Sequence, residues 1–241
     1  MSCNDIIGKA SAAMALGKTE RIDWAATIPA PIVALANYHL FQSFLNPAPG
    51  TYPGAALTAA TVLGGTTPSL ASGLINFLDP VAPDRSYLSY GECLPQSSTV
   101  GELILFDLLA YYPGISMATG APQALLGAAS VLPARMPVGR GVMMMLDVTT
   151  LLGAGAVTLV VTYTNRLGVV GRVTPTVTMV VSSPVGRVPH SRFILPLDIG
   201  DDGVQSAQTF DLSATMGGGV VSLTLIKPLV SIPIPANFST S

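Results

Sequence analysis

The chain has 241 residues, of which 10% are charged and 49% are hydrophobic, and its formal net charge is -2. Because about 25% of residues are charged in a typical globular domain, this composition predicts a low-charge surface that is largely covered by neighbouring molecules. The lack of excess positive charge argues against nucleic-acid binding through phosphate neutralisation. Cys3 and Cys93 fit no disulfide framework or metal motif, and we expect free thiols formed in a reducing cytoplasm.

The N-terminal part contains a long uncharged segment. From Trp24 to Leu78, 55 consecutive residues include no Asp, Glu, Lys or Arg. Either a membrane or a protein assembly would accommodate such a segment. Its six prolines and five glycines interrupt any helix long enough to cross a bilayer. The sequence therefore favours a protein assembly, and no membrane partner is predicted.

Two helices and an irregular segment are predicted before the first strand. Residues 4–17 are rich in alanine and begin at a suitable N-cap, which predicts a short helix. Residues 32–45 follow a proline and predict a second helix. Residues 46–86 are rich in Gly, Pro, Thr, Ser and Ala but keep several apolar side chains. A disordered segment would carry more charge, so we expect partners to hold this one.

From about Tyr87 the pattern changes to a two-residue period, which predicts β-strands. Strands are predicted at 87–94, 102–109, 142–149, 157–164, 169–181, 192–198, 204–213 and 220–227. Tight turns are predicted at Asn165-Arg166-Leu167-Gly168, Gly200-Asp201-Asp202-Gly203 and Gly217–Gly219. About eight strands without intervening helices predict a mainly-β fold, an antiparallel β-sandwich of jelly-roll-like form. The run Met143–Met145 alternates faces, and its middle residue is a candidate to face a partner.

The last residues have a different character. Residues 228–241 carry no charged side chain, and the Ile-Pro-Ile-Pro sequence at 232–235 is restricted to extended conformations. Such an arm lies either on a neighbouring molecule or on its own domain. The predicted organisation is an N-terminal anchoring region at 1–86, a β-sandwich at 87–227 and this C-terminal arm at 228–241.

The apolar residues of the N-terminal region and the arm form the predicted partner-binding set. Aromatic residues near the start could provide a carbohydrate platform, but their helical spacing favours packing in a core or an interface. The complete set is Trp24, Tyr38, Phe41, Phe44, Leu63, Ile232, Ile234 and Phe238.

The motifs that would indicate catalysis are missing from the sequence. There is no phosphate-binding loop, dinucleotide fingerprint, zinc-protease motif or serine-hydrolase elbow. A triad of Ser191, His190 and Asp198 is disfavoured, because adjacent residues on a strand point to opposite faces. Asp201 and Asp202 could bind Ca²⁺ if other oxygens converged, or they could form a polar turn with Asx hydrogen bonds. We therefore predict no enzyme, no cofactor and no metal site.

Three segments occur in a familiar order. They are GELILFDLL at 101–109, VTYTNRLGVVGR at 161–172 and GDDGVQSAQTFDLSATM at 200–216. In order and spacing they resemble a family of structural proteins from tailed bacteriophages and prophages. In that family a Tyr-Thr-Asn turn leads to a Gly-Arg strand, and a Gly-Asp-x-Gly-Val-x-Ser loop comes later. The resemblance covers roughly residues 85–230, and the chain departs from it at Leu108, where the family often has a basic residue.

The resemblance implies a virion component, most specifically a decoration or cement protein of the head shell. Its implied partners are the major capsid protein and further copies of the chain in a homotrimer, which suits a threefold site. Its implied location is the virion head shell, assembled in the host cytoplasm. A tail or fibre-base protein that contacts a receptor or baseplate is an alternative. A glycan-acting hydrolase is another, but it would need paired carboxylates that the sequence does not offer.

Overall fold

The computed structural model describes residues 25–26, 44–46, 61–62, 101–125, 132, 136–153, 155–180 and 192–234. The predicted helix at 4–17, the predicted strand at 87–94, both cysteines and both histidines lie outside these residues. The described residues contain no helix, and all of their strand pairings are antiparallel. The mainly-β, antiparallel part of the prediction is confirmed.

Twelve strands are described. Their bounds are β1 Ala25–Ala26, β2 Phe44–Asn46, β3 Thr61–Val62, β4 Gly101–Ser116, β5 Gln123–Ala124, β6 Met143–Thr150, β7 Ala156–Asn165, β8 Arg172–Val173, β9 Val177–Val180, β10 Arg192–Leu195, β11 Val204–Leu212 and β12 Val220–Ile234. One sheet has the order β10-β6-β12-β4-β3, and the other has β5-β11-β7-β8 with β9 also paired to β7. A separate pair joins β1 and β2.

The end of the predicted second helix is wrong. Phe44–Asn46 forms strand β2, in which Asn46 is the register partner of Ala25. Asn46 precedes Pro47, and the proline ring disfavours helical dihedrals in the residue before it. The remainder of the predicted helix, residues 32–43, lies outside the described residues.

The two five-stranded sheets share one hydrophobic core. On β7 the predicted alternation is confirmed, since Val157, Leu159, Val161 and Tyr163 are all buried, whereas Thr158 between them is only half-buried. They pack in one cluster with buried residues of β4, β6, β11 and β12. Strands from both sheets therefore contribute their inward faces to the same core, as expected for packed antiparallel sheets.

Strand β6 is buried on both faces. Met144 and Leu146 belong to the core, so the expectation that Met144 faces a partner is wrong. On the opposite face Met145 and Asp147 are also buried, with exposed fractions of 3% and 1%. A strand covered on both sides needs apolar residues at consecutive positions, and this explains the run of methionines.

A buried hydrogen bond joins the two sheets at Tyr112 of β4. The pairing of β11 with β7 shifts in register between Ala207 and Thr209, as at a β-bulge. The Ala207 N–H donates to the Tyr112 hydroxyl at 2.9 Å. Burial raises the pKa of Tyr112 to about 12, so the hydroxyl remains neutral over the whole physiological range.

Replacing Tyr112 with phenylalanine should lower the free energy of unfolding by about 2 kcal/mol, because the buried Ala207 N–H would lose its partner. The change preserves the ring and its packing, so the cost reports the hydrogen bond. Urea unfolding of both proteins measures it. A difference below about 0.5 kcal/mol would mean that the hydroxyl is dispensable.

The predicted C-terminal strand and the first part of the arm form one strand. β12 continues past Lys227 to Ile234, and its paired residues include Pro228 with Phe106 and Pro233 with Glu102. These partners are four residues apart on β4, because a register shift after Pro228 absorbs one residue. This even separation gives both prolines the same kind of position in the ladder, and a strand tolerates proline where its nitrogen is not needed as a hydrogen-bond donor. The arm lies on its own domain as far as Ile234.

Candidate functional site

The loop after β7 places apolar residues where a strand was expected. The predicted strand at 169–181 is divided into β8 and β9, and residues 166–171 form a turn. Gly168 has φ 79°, and its N–H donates to the Asn165 carbonyl at 3.0 Å, so the predicted turn is confirmed. Val169 and Val170 consequently lie in the turn and are about half exposed.

Asn165 holds this turn through its side chain. Its Oδ1 accepts hydrogen bonds from the backbone N–H groups of Leu167 and Val169, both at 3.0 Å. Its Nδ2 donates to Oδ1 of Asp201 at 2.7 Å. Asparagine suits this position because its short amide can bond the backbone a few residues ahead. The turn is therefore tied to the loop that contains Asp201.

Asp201 receives donors from three side chains of the second sheet. The Tyr163 hydroxyl donates to its Oδ2 at 2.5 Å, and Arg172 Nε donates to the same oxygen at 2.9 Å. Together with Asn165 on the other oxygen, these residues form what we call the Asp201 cluster. The Asp201 side chain is only 6% exposed, so three donors compensate for the loss of water around the carboxylate.

The Asp201 cluster shifts two pKa values in opposite directions. Burial alone would raise the pKa of Asp201, but the hydrogen bonds from Tyr163, Arg172 and Asn165 outweigh it and hold that pKa below the ordinary 3.8. Burial, followed by the hydrogen bond to Asp201, raises the pKa of Tyr163 to about 12. At neutral pH the carboxylate is ionised and the phenol is protonated, which is the arrangement that the hydrogen bond requires.

A third loop joins the same end of the sandwich. The Arg166 N–H donates to the Gly203 carbonyl, and the Gly141 N–H donates to the Asp202 carbonyl, both at 2.8 Å. Gly203 and Gly139 lie backbone against backbone, with no room for a side chain on Gly203. The loops around residues 139, 168 and 201 thus form one connected unit, which we call the loop end.

The loop end exposes both apolar side chains and ion pairs. Arg166 pairs with Asp202, and Arg172 Nη2 pairs with Asp198 at 2.9 Å. Among the apolar residues Ile199 is 92% exposed and Leu167 is 69% exposed. Five exposed apolar residues from the loops around residues 168 and 201 and from the adjoining strand β8 form what we call the apolar loop surface; its members are Leu167, Val169, Val170, Val173 and Ile199.

A shallow cavity of about 440 Å³ lies beside the loop end. Its walls include Ile194, Pro196 and Leu197, and its ionisable lining residues are Asp201 and Asp202. Both carboxylates accept hydrogen bonds from arginines. The hydrogen bonds to Asp201 hold its pKa below 3.8, and a carboxylate with a pKa this low serves poorly as a general base near neutral pH. The cavity thus combines an apolar wall with two carboxylates that are already hydrogen-bonded to arginines.

Of the sequence-predicted partner-binding residues, the structure describes Phe44, Ile232 and Ile234, and these three do not lie in the loop end. Trp24, Tyr38, Phe41, Leu63 and Phe238 lie outside the described residues, as do Ser191 and His190 of the disfavoured triad. Phe44 and Ile234 lie in β2 and β12, and Ile232 is buried within its own chain. Their role in partner binding stays a prediction.

Sequence reasoning missed the apolar loop surface because a two-residue period was extended through Val169 and Val170. A signal was present, since Gly168 and Gly171 bracket these valines and glycines at such spacing indicate a turn.

Two kinds of site are absent from the residues that the structure describes. The described residues include no helix long and apolar enough to span a bilayer. They also include no group of three or more His, Cys, Asp or Glu that could hold a metal ion.

The chain was also compared with known proteins. No protein-family model, curated protein or solved structure matches it.

Proposed function

We propose that this protein is a structural subunit of a bacteriophage or prophage virion, and specifically a decoration or cement protein of the head shell. The observation that carries the proposal is the position of the residues behind the family resemblance. Tyr163, Asn165 and Arg172 come from one resembling segment and Asp201 from another, and all four meet in one cluster. Their hydrogen bonds are directed at one another, which favours a role in shaping the loop end over a role in catalysis.

The surface chemistry of the loop end supports a role in a protein assembly. Apolar side chains are held on constrained loops, and a rigid surface loses less conformational entropy when it binds. Each fully buried side chain of this kind contributes roughly 1.5–3 kcal/mol at most. One contact of this size is weak, but repetition over a shell raises the effective concentration of the next contact.

In this proposal the major capsid protein is the main partner and the chain forms a homotrimer. The head shell is its location, after assembly in the host cytoplasm. We take the sandwich as jelly-roll-like, because β6 and β7 lie in different sheets, as do β11 and β12. Such crossings between sheets are typical of Greek-key sandwiches.

The position of the protein in purified particles tests the proposal. Particles from the host that carries this gene would be cross-linked and analysed by mass spectrometry. We expect cross-links to the most abundant shell protein, and we expect purified chain to rebind heads from a strain that lacks the gene. Cross-links only to tail or baseplate proteins would favour the fibre-base alternative, and absence from particles would overturn a virion role.

A further inference from the structure

We infer that the apolar loop surface is where copies of this chain bind one another. The inference rests on the proposed role as an assembly subunit and names the partner of the loop end. Its first support is exposure. Four of its five apolar side chains lie on two loops that the Asp201 cluster ties together, and the fifth, Val173, lies on the adjoining strand β8; Ile199 at 92% is almost fully in water. Isolated apolar residues on a surface need no explanation, but a group on constrained loops indicates an interaction site.

The charges around this surface favour a second copy over a charged partner. Arg166 and Asp202 are 32% and 48% exposed, and Arg172 and Asp198 are 31% and 37% exposed. The loop end thus presents two positive and two negative side chains in water. An identical surface can place each arginine near an aspartate of the other copy, whereas a strongly acidic or basic partner would meet as much repulsion as attraction.

The small extent of the surface sets the expected strength of the contact. A standard stable interface buries about 800 Å² on each partner, supplied by about 20–30 residues. Five apolar side chains and four charged ones fall short of that number. We therefore expect association in the micromolar range, weak for one contact and sufficient where several copies meet around an axis.

Sedimentation velocity of the full chain from about 1 to 200 µM tests the inference, since this range brackets micromolar dissociation constants. We expect reversible association of the unmodified protein. Ile199→Glu and Val170→Glu should each weaken it at least about tenfold, because a glutamate would have to be buried. The melting temperature should not change, since both side chains are exposed in the single chain.

Leu151→Glu is the matched control. Leu151 is 58% exposed and lies in the connection between β6 and β7, at the opposite end of the sandwich. It receives the same added charge and should associate like the unmodified protein. A protein that stays monomeric at 200 µM, or that is weakened equally by Leu151→Glu, would overturn the inference. So would normal association of Ile199→Glu.

The two proposals fail separately. Association that depends on Ile199 in a protein that does not bind phage heads would leave this inference intact and remove the decoration role. Head binding by a protein that stays monomeric at all concentrations would keep the decoration role and remove this inference.

Discussion

Gly203→Ala should prevent stable folding or lower the free energy of unfolding by more than about 4 kcal/mol. A Cβ on Gly203 would overlap the backbone carbonyl of Gly139, and neither group can rotate away as a side chain would. The Arg140–Gly203 bridge and the bond from the Gly141 N–H to the Asp202 carbonyl would be displaced with it. Thermal melting should show a loss of at least about 10 °C, or no cooperative transition.

Gly168→Ala is the control for this substitution. Gly168 has φ 79°, but a Cβ there would meet nothing within 4 Å. The cost is then backbone strain alone, about 1–2 kcal/mol. If both variants lose the same stability, the contact between Gly139 and Gly203 is not the close approach that we describe.

Asp201→Asn should destabilise the protein by about 3 kcal/mol, because charge-assisted bonds to a buried group are among the strongest. The asparagine keeps the shape of the side chain but loses the charge that attracts Arg172. The new NH₂ group would also face another hydrogen-bond donor. In one orientation that donor is Asn165 Nδ2, and in the other it is the Tyr163 hydroxyl together with Arg172 Nε. Urea unfolding at pH 7 measures the change.

Asp202→Asn provides the matched control at the next residue. Asp202 is 48% exposed, and its pair with Arg166 lies in water. Exposed ion pairs contribute about 0–1 kcal/mol, so the same chemical change should have little effect here. Equal losses in the two variants would contradict the distinct role of Asp201.

The pH dependence of stability should identify Asp201 independently. Its pKa in the folded protein lies below 3.8, so the unfolded chain binds this proton more readily. The stabilisation is therefore complete well above pH 3.8, begins to fall at about pH 5, and is lost as the pH falls through the lower, folded pKa. Between about pH 5 and pH 2 the unmodified protein should lose more stability than Asp201→Asn does. Parallel curves would mean that Asp201 is not the group responsible.

Several features of this protein follow from local sequence alone. On β7, valine and leucine alternate with threonine, and the strand, its inward face and its final turn at Gly168 were all predictable. These features depend on side-chain period and on the φ angles that glycine permits, both of which are local properties. The mainly-β character and the absence of a helix between residues 101 and 125 and between 192 and 234 have the same origin.

Other features were decided by contacts between distant parts of the chain. Met144 and Asp147 are both buried although they lie on opposite faces of β6. The alternation of side chains along the strand does not decide this, because burial depends on the elements that pack on each face. β12 includes two prolines, and the register shift between them places both opposite residues of β4 that are four positions apart. Asp201 lies 38 residues from Tyr163 in the sequence and 2.5 Å from it in space. A carboxylate in a turn has the same local sequence whether water or three donors surround it, so only the tertiary structure could distinguish an ordinary polar turn from the centre of the loop end.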